Sequence, residues 1–368
     1  MKSVGIICEY NPFHYGHLYH VNKVKEMFPG YVIIAVINGN FTQRGDVSII
    51  DKWEKTKVAL NYVDLVIELP FVFGTQSADI FTKGSSDILK ALKVDAFVFG
   101  SESNDIDKLK RIVQIQESNE YNIKTKNYMK QGFNYPTSLS LALKDFNIVL
   151  EDNPNDLLGI GYIRNLEGVN TLSIKRTNDY HSLELNKIAS ATSIREALRN
   201  GEDIKNYVPL ESYECLSDLH FFDDYFELLK YKIICSDDLS IYQTVDEGIE
   251  NKIKKVILKA NNIEELISLV KSKRYTYNKL KRMFLHILCS FTKEEAKRCV
   301  NIEYIRVLGF NDKGKKYLNS IKKECELPIL SNYDDSYEMM RIENRVSNIY
   351  NIKKDDFLEE YKHKPIIF

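Results

Sequence analysis

The sequence lacks the cysteine pairs and long apolar runs that mark secreted or membrane proteins. Its six cysteines are scattered, with no Cys-x-x-Cys pair: Cys8, Cys215, Cys235, Cys289, Cys299 and Cys325. This spacing argues against a disulfide framework or a cysteine zinc cage and predicts reduced thiols. The longest apolar runs, such as 63–70, are too short to span a bilayer. The N-terminus reads as a strand without a small-residue cleavage site, so we expect no signal peptide, no membrane partner and a cytoplasmic protein.

The sequence also lacks net charge, since 51 Lys and Arg nearly balance 52 Asp and Glu. Nothing global therefore indicates a nucleic-acid or acidic-membrane partner. A local asymmetry lies beneath this balance. Residues 202–250 hold thirteen Asp and Glu against three Lys and Arg, whereas residues 251–300 hold thirteen Lys and Arg against four Asp and Glu. With 44% hydrophobic residues among 368, the composition is that of a globular protein of two or three domains.

Short apolar runs alternate with amphipathic segments over residues 1–200, which predicts an α/β domain with a Rossmann-like, doubly wound parallel sheet. The predicted strands are Val4–Cys8, Tyr31–Ile37, Asp64–Leu69, Asp95–Phe99 and Thr171–Lys175. Ligands of such sheets bind beyond the carboxyl ends of the strands. Residues 201–368 are predicted to be a mainly helical region with a small α/β element near 303–332.

The first predicted strand leads directly into two histidines, His14 and His17, which flank Gly16. Glycine lets a backbone approach a ligand closely, and the start of the next helix offers unpaired N–H groups, so the pattern indicates phosphate binding. Two alternatives stay open. His14, His17 and His20 are spaced by three and would share one helix face as zinc ligands, or the histidines are purely structural.

A second pattern, Ser190-Ala191-Thr192-Ser193-Ile194-Arg195, opens a short predicted helix. Hydroxyls at a helix start followed by an arginine one turn later form a phosphate cradle. Taken alone, such a pattern is more often an ordinary capped helix. Its occurrence in the same domain as the histidine motif favours phosphate binding by Ser190, Thr192 and Arg195.

Two further loops after strands carry polar residues. Arg44, in Gln43-Arg44-Gly45-Asp46, is suited to pair with a carboxylate or a phosphate, although Gly45-Asp46 alone reads as a turn. Tyr180-His181 follows the fifth predicted strand and is equally compatible with a substrate contact or a surface loop.

Together, the histidine and serine motifs resemble the nucleotidyltransferase superfamily related to class I aminoacyl-tRNA synthetases. The Lys-Met-Ser-Lys-Ser loop of the synthetases is absent. Longer stretches resemble the bacterial tRNA(Met) cytidine acetate ligase family, densely over the first 200 residues: 5–20, 38–46, 51–53, 63–70, 75–78, 99–102, 154–160, 174–176 and 189–195.

This resemblance implies an enzyme that uses ATP, with Mg²⁺, to activate acetate as acetyl-adenylate and acetylates N4 of the wobble cytidine of elongator tRNA(Met). It implies catalytic roles for His14, His17 and Arg195. The nucleotide contacts that it implies are Ile7, Cys8, Glu9, Tyr10, Asn11, Pro12, Phe13, His14, Tyr15, Gly16, His17, Leu18, Tyr19, His20, Gly100, Asn155 and Arg176. For Asn155, helix capping after Pro154 is an alternative.

A tRNA substrate requires a cationic surface, and the basic stretch 251–300 offers one, so the mainly helical residues 201–368 are predicted to be the tRNA-binding region. We expect Lys273, Arg274, Lys279 and Arg282 to bind tRNA because Tyr275 and Tyr277 lie among them. The alternative is that these are solvated helix faces.

The sequence leaves two alternative functions open. A small-molecule adenylyltransferase, of the pantetheine-phosphate or nicotinamide-mononucleotide type, shares both motifs but needs little more than the first domain. A non-catalytic RNA-binding protein would not need His14, His17, Thr192 and Arg195 intact.

Overall fold

The computed structural model describes residues 1–133, 135–149, 153–176, 190–272, 274–354 and 357–368. In these residues one sheet of eight strands has the order β5-β4-β1-β2-β3-β6-β7, with β8 also paired to β6. The strands are β1 (Ser3–Cys8), β2 (Val32–Asn38), β3 (Leu65–Leu69), β4 (Ala96–Ser101), β5 (Asn170–Lys175), β6 (Ile305–Phe310), β7 (Ile329–Leu330) and β8 (Ile366–Ile367).

The first five strands form the predicted parallel sheet, because β1 pairs in parallel with β2 and β4, β2 with β3, and β4 with β5. All seven residues of β2 are buried. A strand covered by helices on both faces reads as a continuous apolar run, which is why the pattern predicted a parallel sheet. The predicted Rossmann-like fold is therefore confirmed.

Helices occupy most of the connections and much of the second half of the chain. They are α1 (Tyr15–Met27), α2 (Lys52–Leu60), α3 (Phe71–Gly74), α4 (Ala78–Ala91), α5 (Ile106–Glu117), α6 (Asn119–Lys130), α7 (Tyr135–Lys144), α8 (Pro154–Asn165), α9 (Ala191–Arg199), α10 (Leu210–Glu214), α11 (Phe226–Cys235), α12 (Ile249–Val256), α13 (Ile263–Val270), α14 (Tyr277–Leu288), α15 (Lys293–Arg298), α16 (Asp312–Ile321), α17 (Glu338–Tyr350) and α18 (Glu359–Lys362), with 3₁₀ turns at Phe222–Tyr225, Ile257–Lys259 and Asn351–Lys353. None of the helices in the described ranges is both long and apolar enough to cross a membrane.

The α/β element expected near 303–332 is present, but it extends the main sheet instead of forming a separate unit. Its strand β6 runs antiparallel to β3, with Leu65 opposite Phe310 and Glu68 opposite Arg306. An unpaired β3 would leave a row of backbone donors and acceptors open at the sheet edge, and β6 covers it. Sequence periodicity predicted this strand correctly but carries no information about its partner.

A group of buried charged side chains lies beside β3 and β6. It connects residues from the first part of the chain with residues near the C-terminus. Lys52 Nζ lies 2.6 Å from Glu68 Oε1 and also bonds to Glu360 of α18, and all three side chains are fully buried. Glu343 of α17 accepts the backbone N–H of Phe71. Residues on both sides of the predicted boundary near 200 thus share one sheet and one core. The functional division at that boundary stays a prediction.

Candidate active site

The loop after β1 ends in a histidine pair that caps helix α1. His14 is the N-cap, and its Nδ1 accepts the backbone N–H of Gly16 at 3.0 Å. In return, Nδ1 of His17 accepts the backbone N–H of His14 at 3.3 Å, and the two ring centres lie 3.9 Å apart. A neutral imidazole whose Nδ1 accepts a hydrogen bond carries its proton on Nε2. Each Nε2–H is therefore the atom suited to donate to a phosphate oxygen.

Gly16 is required by this pairing of rings. A Cβ at residue 16 would lie 2.8 Å from Cε1 and 3.0 Å from Nδ1 of His14. Real Cβ atoms essentially never approach a ring carbon that closely, so a larger residue would push His14 out of its capping position. The glycine of the motif thus permits the histidine geometry directly.

The histidines are held neutral at physiological pH. Burial, followed by the charges of Arg176 and Arg195, lowers the pKa of His14 to about 4. Burial and then the charge of Arg176 lower the pKa of His20 to about 4, and burial also lowers the pKa of His17. The positive charge of the site therefore comes from the two arginines, while the imidazoles supply neutral donors.

The second motif meets the first through Arg195. Its Nη1 donates to the carbonyl oxygen of Asn11 at 2.7 Å, and its Nη2 donates to Thr192 Oγ1 at 3.3 Å. Ser190 is the N-cap of α9, and its Oγ accepts the backbone N–H of Ser193 at 3.2 Å. Ser190 thus has the capping role that the alternative interpretation assigned to it, whereas Arg195 reaches the loop after β1.

The loops after β4 and β5 bring three more predicted residues together. Arg176 Nη1 lies 3.4 Å from Asn155 Oδ1, and a Cβ at Gly100 would lie 3.1 Å from Arg176 Cγ. Glu102 accepts the backbone N–H of Asn155 at 3.1 Å at the start of α8. The N-cap of that helix is Asn153, so the capping alternative for Asn155 is wrong. The charge of Arg176 also contributes to the lowered pKa of His14, His17 and His20.

One buried residue that supports this site, Lys55, was not predicted from the sequence. Lys55 of α2 is fully buried, and its Nζ donates to the carbonyl oxygens of Asn38 at 2.8 Å, Gly39 at 2.5 Å and Glu9 at 3.4 Å. Burial lowers its pKa to about 7. Lys55 therefore ties the loops after β1 and β2 together. Its i, i+3 relation to Lys52 resembles a solvated helix face, so no sequence pattern distinguishes Lys55 from a surface lysine.

The residues expected to bind tRNA divide into two groups. Arg274 is exposed and lies 3.7 Å from Glu247. Lys279 and Arg282 are half-buried: Lys279 Nζ lies 4.8 Å from the centre of the Tyr275 ring, and Arg282 donates to the carbonyl oxygen of Gln43 at 3.3 Å. Lys273 and the pair Tyr180-His181 lie outside the described residues.

In the ranges that the structure describes, no group of three or more His, Cys, Asp or Glu side chains is placed to hold a metal ion. This includes His14, His17 and His20, so the described part of the site gives no support to the zinc alternative.

Comparison with known proteins agrees with the geometry of this site. A family model described as HIGH Nucleotidyl Transferase matches residues 1–364. The tRNA(Met) cytidine acetate ligase of Caldicellulosiruptor saccharolyticus is 38% identical over 394 aligned positions, which cover 100% of this chain and 98% of that protein. The enzyme of the same name from Fusobacterium nucleatum is 39% identical over 87% of this chain and 85% of that protein. The chain belongs to the tRNA(Met) cytidine acetate ligase family.

Members of this family have also been solved as crystal structures. Thermotoga maritima TmcAL bound with alpha-thio ATP has a TM-score of 0.92 and 28% identity to this chain, and each chain is covered completely. The apo form of the same protein gives the same values. The family resemblance drawn from the motifs, and the nucleotidyltransferase type of the fold, are therefore confirmed.

Proposed function

We propose that this protein is an ATP-dependent ligase that acetylates N4 of the wobble cytidine of elongator tRNA(Met). The observation that carries the proposal is the hydrogen bond from Arg195 to Asn11, because it joins the two phosphate-binding motifs into one site. The names of relatives similar over the whole chain support the substrate. Modification of tRNA takes place in the cytoplasm, and we assign the protein there.

In this proposal ATP lies across the ends of β1 and β4. The segment 7–20, together with Gly100, Asn155 and Arg176, contacts the nucleotide. His14 and His17 donate their Nε2–H groups to phosphate oxygens. Arg195 supplies positive charge toward the leaving pyrophosphate, with Thr192 beside it.

The first half-reaction is then an in-line displacement. An acetate oxygen attacks the α-phosphorus of ATP, the bond to the bridging oxygen breaks, and pyrophosphate leaves. In the second half-reaction the N4 amine attacks the acyl carbon of acetyl-adenylate, AMP departs, and the amine loses a proton to water. The protein forms no covalent bond to substrate, so catalysis consists of positioning and of stabilising negative charge.

We propose that Mg²⁺ enters this site as part of the ATP complex. The described residues include no three-membered ligand set for a metal ion. Magnesium bound with nucleotides keeps several waters and needs only one or two carboxylates besides the phosphates. We therefore assign no protein ligand to it.

The decisive experiment supplies the protein with ATP, isotope-labelled acetate and bulk tRNA, followed by mass analysis of the tRNA nucleosides. We expect labelled N4-acetylcytidine in elongator tRNA(Met). Acetate-dependent exchange of pyrophosphate into ATP, measured without tRNA, separates the rivals. A small-molecule adenylyltransferase would show no dependence on acetate, and a non-catalytic RNA-binding protein would show no exchange.

A further inference from the structure

The turn that follows β2 is held in one conformation by its own backbone. Thr42 donates its N–H to the carbonyl of Asp46 at 2.9 Å, and Gly45 donates its N–H to the carbonyl of Thr42 at 3.0 Å. Gly45 has a φ of +78°, which favours glycine. The residues at its base, Phe41 and Val47, form an antiparallel bridge. The turn 42–46 is therefore a small, closed structural unit.

This turn is fixed on one side to the candidate active site. The backbone N–H of Gln43 donates to Glu9 Oε1 at 2.7 Å, and Glu9 is the first residue after β1. The side-chain amide of Gln43 donates to the carbonyl oxygen of Gln76 at 2.9 Å. Any movement of the turn would break bonds to the segment that precedes His14 and His17.

The same turn is fixed on its other side to α14, the helix of the basic stretch. Lys281 Nζ lies 2.8 Å from Asp46 Oδ2, and Arg282 donates to the carbonyl oxygen of Gln43. The backbones themselves touch, because a Cβ at Gly45 would lie 2.3 Å from the backbone nitrogen of Arg282. Lys281 and Arg282 thus join the basic region to the loop that borders the active site.

Arg44 lies at the tip of this anchored turn and is exposed. In the described part of the chain it has no hydrogen bond or ion pair, although its neighbours Gln43 and Asp46 are each bonded on two sides. Arg44 follows Gln43, whose backbone N–H donates to Glu9, so the turn carries Arg44 beside the loop after β1. A guanidinium that has no partner among the described residues, on a rigid support beside the site and open to water, is suited to a phosphate of a large ligand.

We propose that turn 42–46 and the start of α14 form an RNA-docking face on which Arg44 contacts a backbone phosphate next to the acceptor cytidine. This inference rests on the proposed function. A nucleotide whose base enters the site must bring its flanking phosphates to the rim of the site, where Arg44 lies. Lys279, half-buried on the first turn of α14, adds a further cation at the start of that helix. Lys281 and Arg282 hold turn 42–46 in place through their bonds to Asp46 and Gln43.

The test compares Arg44→Glu and Arg44→Lys with the unaltered protein. Binding of elongator tRNA(Met) is measured at several salt concentrations, alongside acetate-dependent pyrophosphate exchange and tRNA acetylation. Losing one phosphate contact reduces the slope of log affinity against log salt by about 0.7 to 0.9. We expect this reduction and at least ~10-fold weaker binding in Arg44→Glu, near-normal values in Arg44→Lys, and a far larger loss of tRNA acetylation than of exchange.

Lys316→Glu provides the matched charge reversal. Lys316 is exposed on α16, which lies at the amino end of β2, away from the carboxyl ends that carry the candidate site, because Lys313 of that helix donates to the carbonyl oxygen of Tyr31 just before β2. We expect tRNA binding, its salt slope and exchange to match the unaltered protein in this variant.

Two results would overturn the inference. An unchanged affinity and salt slope in Arg44→Glu would place the RNA elsewhere. A loss of exchange as large as the loss of acetylation would show that Arg44 binds the phosphates of ATP or the acetate. Failure of the proposed function itself looks different: the unaltered protein would then form no N4-acetylcytidine, while the salt slope would still decide whether Arg44 contacts RNA.

Discussion

His14 and His17 each use Nδ1 to cap the start of α1, and this leaves the Nε2 proton of each ring for a ligand. For His17→Ala we expect acetate-dependent pyrophosphate exchange to fall by about 100-fold or more, as for removal of a single donor to a developing oxyanion. Loss of the cap contact should cost only about 1 kcal/mol of stability. Exchange kinetics and thermal melting measure the two effects.

His363→Ala is the control for this variant, since His363 lies near the C-terminus, stacked on Trp53. It should retain exchange. Near-normal exchange in His17→Ala would refute the catalytic role. A large fall in melting temperature would instead favour the structural alternative for the histidines.

Lys55 acts on the site through the backbone, because its Nζ donates to the carbonyl oxygens of Glu9, Asn38 and Gly39. In Lys55→Met these buried acceptors lose their donor, so we expect the free energy of unfolding to fall by roughly 1–3 kcal/mol. Urea denaturation measures the change.

Lys57→Met on the same helix is the matched control. Lys57 is about half exposed, and among the described residues its side chain pairs with Glu54 alone; such a surface pair contributes less than about 1 kcal/mol. Equal stability losses in the two variants would contradict the anchoring role of Lys55.

At the residue scale, the sequence could predict the ligand-facing motifs but not the residues that support them. His14, Gly16 and Arg195 occur in patterns whose spacing reflects their chemistry. Lys55 and Arg282 look like surface cations in the sequence, and only the packing of α2 and α14 shows that each donates to backbone carbonyls.

At the scale of secondary-structure elements, local patterns predicted the strands better than their partners. The positions of strands β1 to β5 along the chain, and of the loops that follow them, were predicted from the sequence, because apolar runs and helical periodicity are local properties. The pairing of β6 with β3 joins residues about 240 positions apart and depends on which edge of the sheet is open. No local sequence pattern indicates which strand pairs with β3.

A pair of glycine variants can measure how much the packing of turn 42–46 against α14 contributes to stability. Gly30 and Gly45 both have a φ near +80°, but a Cβ meets nothing within 4 Å at residue 30 and meets the Arg282 backbone at 2.3 Å at residue 45. We expect Gly30→Ala to cost about 1 kcal/mol from backbone strain alone. Gly45→Ala should cost a further 1–3 kcal/mol or more from overpacking.

Chemical denaturation measures both glycine variants, and tRNA acetylation should fall only in Gly45→Ala. Similar losses of stability in the two would show that the turn and α14 do not pack as tightly as the structure indicates.

At the scale of the whole molecule, the two predicted regions are joined through the sheet and the core. Lys52 reaches Glu360, and β6 covers the edge of β3. The half-reactions are therefore expected to separate by point variants such as Arg44→Glu, and not by dividing the chain.

A fragment of residues 1–200 tests whether the first region depends on the second for its stability. Without β6, α17 and α18, the apolar face of β3 and the buried Glu68 would meet water, and Lys52 would lose Glu360. Because small domains are stable by only about 5–15 kcal/mol, we expect the fragment alone to show no cooperative unfolding transition and no acetate-dependent exchange. Co-expression with residues 201–368 should restore both through the shared core. A fragment that unfolds cooperatively and catalyses exchange by itself would show that the first 200 residues are an independent domain.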